Sequence, residues 1–92
     1  MKSLEITASG NAIAGAIVGS RIRGVALVGG SAASSAVIYD AATATGTPKL
    51  TIKALTNDFK AVMFPNESGL QLNTALSVTM AGASAILYVF LD

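Results

Sequence analysis

The sequence predicts an all-β protein: one domain spanning residues 1–92, folded as an antiparallel β-sandwich or jelly roll of about eight short strands. Three observations support this prediction. Short segments that alternate between polar and apolar residues, or are wholly apolar, recur at a spacing of roughly 8–12 residues. Clusters of Gly, Ser, Thr, Asn and Asp, which favour turns, separate these segments. No stretch of roughly 11 or more residues has the apolar spacing of an amphipathic helix.

Two candidate strands open the chain. Residues 2–8 alternate between polar and apolar side chains, as in a strand with one buried face. Residues 12–18 are small and apolar and include Gly15. A glycine inside a strand often marks a bulge or a close approach between two backbones. The Ser-Gly-Asn sequence at 9–11 predicts the turn between the two candidates.

The middle of the chain, residues 24–47, predicts a strand, a glycine turn, a second strand and a loop. Residues 24–28 are apolar and partly β-branched, and Gly29 and Gly30 end this strand with two residues free to adopt positive φ. Small residues then lead into a second apolar strand, which stops at Asp40. We expect the rest of the domain to be organised around these two strands.

The first strand of this segment extends backwards through a pair of arginines. Arg21 and Arg23 share one face, and Ile22 points to the opposite face. Val25 and Leu27, the apolar residues after Gly24, stand at odd positions. In a regular strand they would therefore share a face with the arginines and not with Ile22. A bulge or twist near Gly24 would let the strand change the face that it buries.

Five more strands are predicted in the second half of the sequence: 49–55, 59–64, 70–73, 75–80 and 86–91. The first of them alternates most cleanly, with its two lysines and a threonine outward and Leu, Ile and Ala inward. The last is apolar on both faces, which indicates a central strand or one that a neighbouring subunit covers.

The composition limits the classes of function. Hydrophobic residues make up 52% of the chain and charged residues only 12%, about half of the roughly 25% usual in soluble domains. So few charges cannot coat a small domain, so we expect a surface of Ser, Thr and Gly, partly covered by other subunits. The net charge of +1 provides no basic patch for nucleic acid. The sequence contains no histidine and no cysteine, and therefore lacks the commonest general base and any thiolate metal ligand.

No motif for catalysis, cofactor binding or metal binding is present. The carboxylates are scattered, and we expect them at strand ends and turns: Glu5, Asp40, Asp58, Glu67 and Asp92. Calcium would require several oxygen ligands on one loop, and the glycines form no phosphate-binding pattern. We therefore expect no enzymatic activity, no catalytic residue, no cofactor and no metal.

The candidate partner-contact residues are Arg21 and Arg23, the only cations so close together in the sequence. They predict either an exposed strand face or a contact with an acidic patch on a partner, because arginine is enriched at interfaces. The aromatic residues are expected to pack in the core rather than to stack on bases: Tyr39, Phe59, Phe64, Tyr88 and Phe90.

A membrane span is an alternative only for residues 75–91, which are mostly apolar and carry no charge. Polar and small residues interrupt this stretch regularly, whereas a span needs about 20 predominantly apolar residues. The first residues do not form a secretory signal either, because Glu5 stands where its apolar core would start. We expect no membrane association.

Several segments together resemble the small all-β accessory virion proteins of tailed bacteriophages. These proteins typically have a glycine-flanked apolar strand, a turn of small residues, a strand ending in Tyr-Asp, a loop of small residues, and later a Gly-Leu and a Leu-Ser-Val-Thr strand. The corresponding segments are GVALV at 24–28, VIYD at 37–40, ATATGT at 42–47, GLQL at 69–72 and LSVT at 76–79.

The resemblance implies a capsid decoration (cement) protein on the surface of the virion. Such a protein would bind the major capsid protein and stabilise the phage head as a homo-oligomer, with a trimer favoured. The alternative is a carbohydrate- or receptor-binding jelly-roll module of a head or tail fibre. That function would require exposed aromatic residues and clustered Asn, Asp or Gln on loops.

Overall fold

The computed structural model describes residues 2–13, 19–64 and 70–91, and within them the fold consists of strands with no helix. The eight strands are β1 Lys2–Ile6, β2 Arg21–Val28, β3 Ser34–Asp40, β4 Leu50–Ala54, β5 Phe59–Met63, β6 Leu70–Gln71, β7 Leu76–Ala81 and β8 Ile86–Leu91. The predicted all-β class is confirmed. Most of the candidate strand at 12–18, with Gly15, lies outside the described residues.

The strands form two sheets in which all paired neighbours are antiparallel. The five-stranded sheet has the order β1-β8-β2-β5, and the short β6 also pairs with β2. The three-stranded sheet has the order β4-β3-β7. The wholly apolar β8 therefore occupies a central position between β1 and β2, which is one of the two places that its sequence predicted.

The glycine turn after β2 carries the chain from one sheet to the other. The links β4–β5 and β7–β8 also pass between the sheets, and all three links lie at the same end of the molecule. Gly29 donates its N–H to the carbonyl of Asp58 at 2.7 Å, and Gly30 accepts a hydrogen bond from Asn57 at 2.9 Å. A Cβ at Gly29 would overlap the carbonyl oxygen of Leu55. Only glycine permits this approach between two links.

The bulge predicted in β2 is confirmed. The pairing of β2 with β8 shifts its register between Ile22 and Gly24. Ile22 lies on the buried side before the bulge, and Val25 and Leu27 lie on the same side after it, with each side chain 0% exposed. The extra residue changes the parity of the strand, so both of its halves contribute to one core.

Both sheets contribute to a single hydrophobic core that is wholly aliphatic within the described residues. The five-stranded sheet contributes residues such as Leu87 and Val89, and the three-stranded sheet contributes residues such as Ile38, Ile52 and Val78. The radius of gyration is 12.1 Å, which matches a compact chain of this length.

The expectation that the aromatic residues pack in the core is largely wrong. Phe64 packs against the core, but Phe59 is 69% exposed. Tyr39, Tyr88 and Phe90 are only half-buried, because their parity in β3 and β8 points them away from the interior. The aliphatic residues that alternate with them fill the space between the sheets instead.

Candidate interaction surface

The outer side of the five-stranded sheet is lined by apolar side chains on three adjacent strands. Residues that alternate with the buried ones point away from the core, and the strand register places them in three rows across the sheet. We call this set the apolar face: Ile86, Val28 and Phe59 in the first row, Tyr88, Ala26 and Ala61 in the second, and Phe90, Gly24 and Met63 in the third.

The apolar face is exposed rather than covered by other parts of the described chain. Phe59 is 69% exposed and Met63 is 57% exposed, and the β8 side chains of the face are half-buried. With strands about 4.8 Å apart and a rise of about 3.4 Å per residue, the three strands present about 300 Å² in projection. Contiguous apolar patches of this size on a monomer are often functional.

The relief of the apolar face follows from the sizes of its side chains. The β8 column consists of large residues, whereas the neighbouring β2 column contains Gly24, Ala26 and Val28. A Cβ at Gly24 would overlap the sulfur of Met63, so the Met63 side chain lies over that glycine. In the middle row, Ala26 and Ala61 therefore leave a shallow pit beside the ring of Tyr88.

The outer side of the three-stranded sheet is more polar. Its edge strands present Thr51, Lys53 and Thr79, all exposed, and its central strand β3 presents the half-buried Val37 and Tyr39 between them. In an antiparallel sheet that faces water, apolar residues alternate with polar outward ones. The three-stranded sheet follows this rule more closely than the five-stranded sheet, so the two sides of the molecule differ in chemistry.

The structure places Arg21 and Arg23 at the bulged end of β2, next to the third row of the apolar face. Both residues are half-buried, on either side of the fully buried Ile22. Arg21 pairs with Gln71 of β6. Each arginine already has an interaction partner. Their contact with an acidic partner stays a prediction.

Asp40 anchors the loop that precedes β7. Its carboxylate accepts hydrogen bonds from the backbone N–H groups of Asn73, Thr74 and Ala75 at 2.8–3.2 Å. Burial acts to raise the pKa of Asp40, but these three hydrogen bonds and the nearby Lys49 outweigh it and lower the pKa below its usual 3.8. The expectation that this carboxylate has a structural role at a turn agrees with these contacts.

Ser77 is a structural residue that the sequence pattern missed. The alternation in β7 predicts it on the outer side with Thr79, yet it is 0% exposed. Its hydroxyl donates to the carbonyl of Ala41 at 2.6 Å and accepts from the N–H of Ala12 at 3.0 Å. Residues 9–13 run along β7, with two backbone hydrogen bonds between Gly10 and Val78, and so cover it.

The described residues contain no other recognisable site. They include no group of acidic side chains arranged to hold a metal ion, and their surface forms no enclosed pocket. No helix in the described part of the chain is long and apolar enough to cross a membrane. Glu67 and Asp92 lie outside the described residues.

Comparison with known proteins gave no match: no protein-family model, no characterised protein sequence and no solved structure is significantly similar to this chain. The resemblance to virion proteins of tailed bacteriophages therefore stays a prediction.

Proposed function

We propose that this protein is a structural, non-enzymatic component of a virus particle: a capsid decoration (cement) protein of a tailed bacteriophage. In this proposal the chain folds as a β-sandwich, assembles into a homo-oligomer, binds the major capsid protein at the virion surface and reinforces the shell. The single observation that carries the proposal is the difference between its two sides, one apolar and the other mostly polar.

A protein that assembles into an oligomer on a shell buries part of its surface and leaves the rest in water. One side is buried against other proteins, where apolar side chains contribute most of the favourable free energy, and the other faces water. The apolar face and the polar three-stranded sheet have these two properties. The composition supports the same interpretation, because 12% charged residues suffice for a domain whose surface is partly covered.

The arginine end of β2 is the proposed contact with the shell. Arg21 and Arg23 lie beside the apolar face, and arginine is enriched at protein interfaces. Many copies on one particle, each making a modest contact through an oligomer, remain attached because the second contact of an oligomer is effectively intramolecular.

Cosedimentation with capsid shells tests the proposal. The shells are assembled from the major capsid protein encoded in the same genome as this chain. We expect the purified protein to pellet with them to saturation and to raise their melting temperature. Arg23→Gln should weaken binding, and Lys53→Gln on the polar side is the matched control. Failure to pellet at any protein concentration would contradict the proposal, as would binding to glycans in place of shells.

A further inference from the structure

We infer that the apolar face pairs two copies of this chain, sheet against sheet, about a two-fold axis parallel to its strands. The inference takes from the proposed function only that the apolar face is a protein contact surface. It goes further by naming the occupant, a second copy, and the symmetry of the contact. A pair replaces the trimer that the resemblance to virion proteins implies.

The relief of the apolar face is complementary to itself under this rotation. An axis that runs along the strands between β8 and β2 places the β8 column of one copy over the β2 column of the other. Tyr88 then lies over Ala26 of the second copy, in the pit that Ala26 and Ala61 leave. The same contact occurs twice, as in any isologous interface. Large side chains thus meet small ones across the interface.

The charge of Glu5 favours the same axis. Glu5 is exposed and points outward on β1, in the row of Tyr88, Ala26 and Ala61. The rotation parallel to the strands brings Glu5 of each copy to the β5 border of the other, opposite the uncharged Ala61. A two-fold axis perpendicular to the strands would instead place Glu5 of one copy opposite Glu5 of the other, and like charges repel.

The area is sufficient for a specific but weak pair. When two apolar faces pair, the contact also includes the neighbouring β1 of each copy, and the uneven side chains add to the projected area. The pair then buries about 1,000 Å² of accessible surface in total. This value lies at the lower limit for specific protein–protein interfaces. We therefore expect a dissociation constant in the micromolar range, which the high local concentration on a particle would overcome.

Sedimentation of the purified protein over a series of concentrations tests the pairing. We expect wild type to approach twice the mass of the 9.2 kDa chain. Ala61→Glu places a carboxylate in the pit, opposite Glu5 of the second copy, and should raise the dissociation constant by about a hundredfold. Thr51→Glu is the matched control, because Thr51 is also exposed on an edge strand but lies on the outer side of the other sheet; it should dimerise like wild type.

A charge exchange tests the direction of the axis. In the Ala61→Glu background, Glu5→Lys should recover most of the lost affinity, because the lysine of one copy then faces the new carboxylate of the other. Residues 5 and 61 lie three strands apart within one chain, so only a contact between copies explains recovery. Should Ala61→Glu fail to fold by circular dichroism, Phe59→Ser replaces it, because Phe59 is the most exposed large side chain of the face.

The outcomes that overturn the pairing differ from those that overturn the proposed function. A single-chain mass for wild type at every concentration, a three-chain mass, an undisturbed Ala61→Glu dimer or the absence of recovery in the double variant each contradicts the two-fold pair. Each can occur while the protein still pellets with shells. Conversely, a dimer with these properties that never binds a shell supports the pairing and contradicts the decoration function.

Discussion

Replacing Ser77 with alanine removes one hydroxyl group that joins three separate segments. The Ser77 hydroxyl is fully buried, and its two hydrogen bonds connect β7 to the carbonyl of Ala41 and to the N–H of Ala12. Ala12 also has a φ of +46°, a conformation that costs a non-glycine residue about 1–2 kcal/mol. The serine thus helps to hold a strained turn against the edge of the three-stranded sheet.

The expected loss of stability follows from these contacts. Each hydrogen bond contributes about 1 kcal/mol, and the partly buried groups that remain without this partner add a desolvation cost. We expect Ser77→Ala to lower the free energy of unfolding by about 2–3 kcal/mol. For a domain of this size the melting temperature should fall by roughly 10–20 °C.

Thermal and urea denaturation at one fixed protein concentration measure the effect, because dimerisation makes stability depend on concentration. Thr79→Ala, two residues along the same strand but exposed, is the control and should change stability by less than about 0.5 kcal/mol. Amide hydrogen exchange should accelerate most at Gly10 and Ile13, which bond to β7. Equal stability of the two variants would refute the role assigned to the Ser77 hydroxyl.

Three further predictions concern other contacts. The fold lowers the pKa of Asp40 from 3.8, so the ionised carboxylate stabilises the folded protein. Thermal melts from neutral to acid pH should therefore show stability falling as the pH drops below that value, and falling less in Asp40→Asn. Gly29→Ala should cost about 1–3 kcal/mol by urea denaturation, because its Cβ meets backbone atoms, whereas the exposed Ser31→Ala should be neutral. Phe59→Ser should change the melting temperature of the monomer little and raise its solubility, measured by precipitation, since 69% of the Phe59 surface is already exposed. If Asp40→Asn lost as much stability at low pH as wild type, the role of the Asp40 carboxylate would be contradicted. A Gly29→Ala variant as stable as wild type would contradict the close approach at Gly29, and a Phe59→Ser variant that does not fold would contradict the exposed position of Phe59.

Features that depend on local alternation could be predicted from the sequence. The parity of Arg21 and Arg23 against the apolar residues after Gly24 predicts the bulge in β2, and the register shift confirms it. The alternation in 49–55 gives the outward Thr51 and Lys53 correctly. These patterns suffice because, in a strand with one buried face, the alternation of apolar and polar residues identifies the buried side.

Features that depend on contacts between distant segments could not be predicted. Ser77 has the parity of an outward residue, and only the pairing of residues 9–13 with β7 buries it. The sequence shows the glycine turn after β2, but it does not show that this turn joins strands of different sheets. The apolar face itself has no local signal, because it combines residues from β8, β2 and β5, and β5 is more than twenty residues from either strand.

The position of the aromatic rings explains why one copy of this chain leaves an apolar surface exposed. β8 is apolar on both sides, so a shift of its register by one residue would bury Tyr88 and Phe90 and expose Leu87, Val89 and Leu91. Two sheets around one core have a single interior, so in either register half of this strand faces outward. The observed register buries the aliphatic half completely. Among the described residues nothing covers the aromatic half, so its burial would add free energy to a contact with another molecule. The inferred pairing uses this free energy by placing Tyr88 over the small side chains of Ala26 and Ala61 in a second copy.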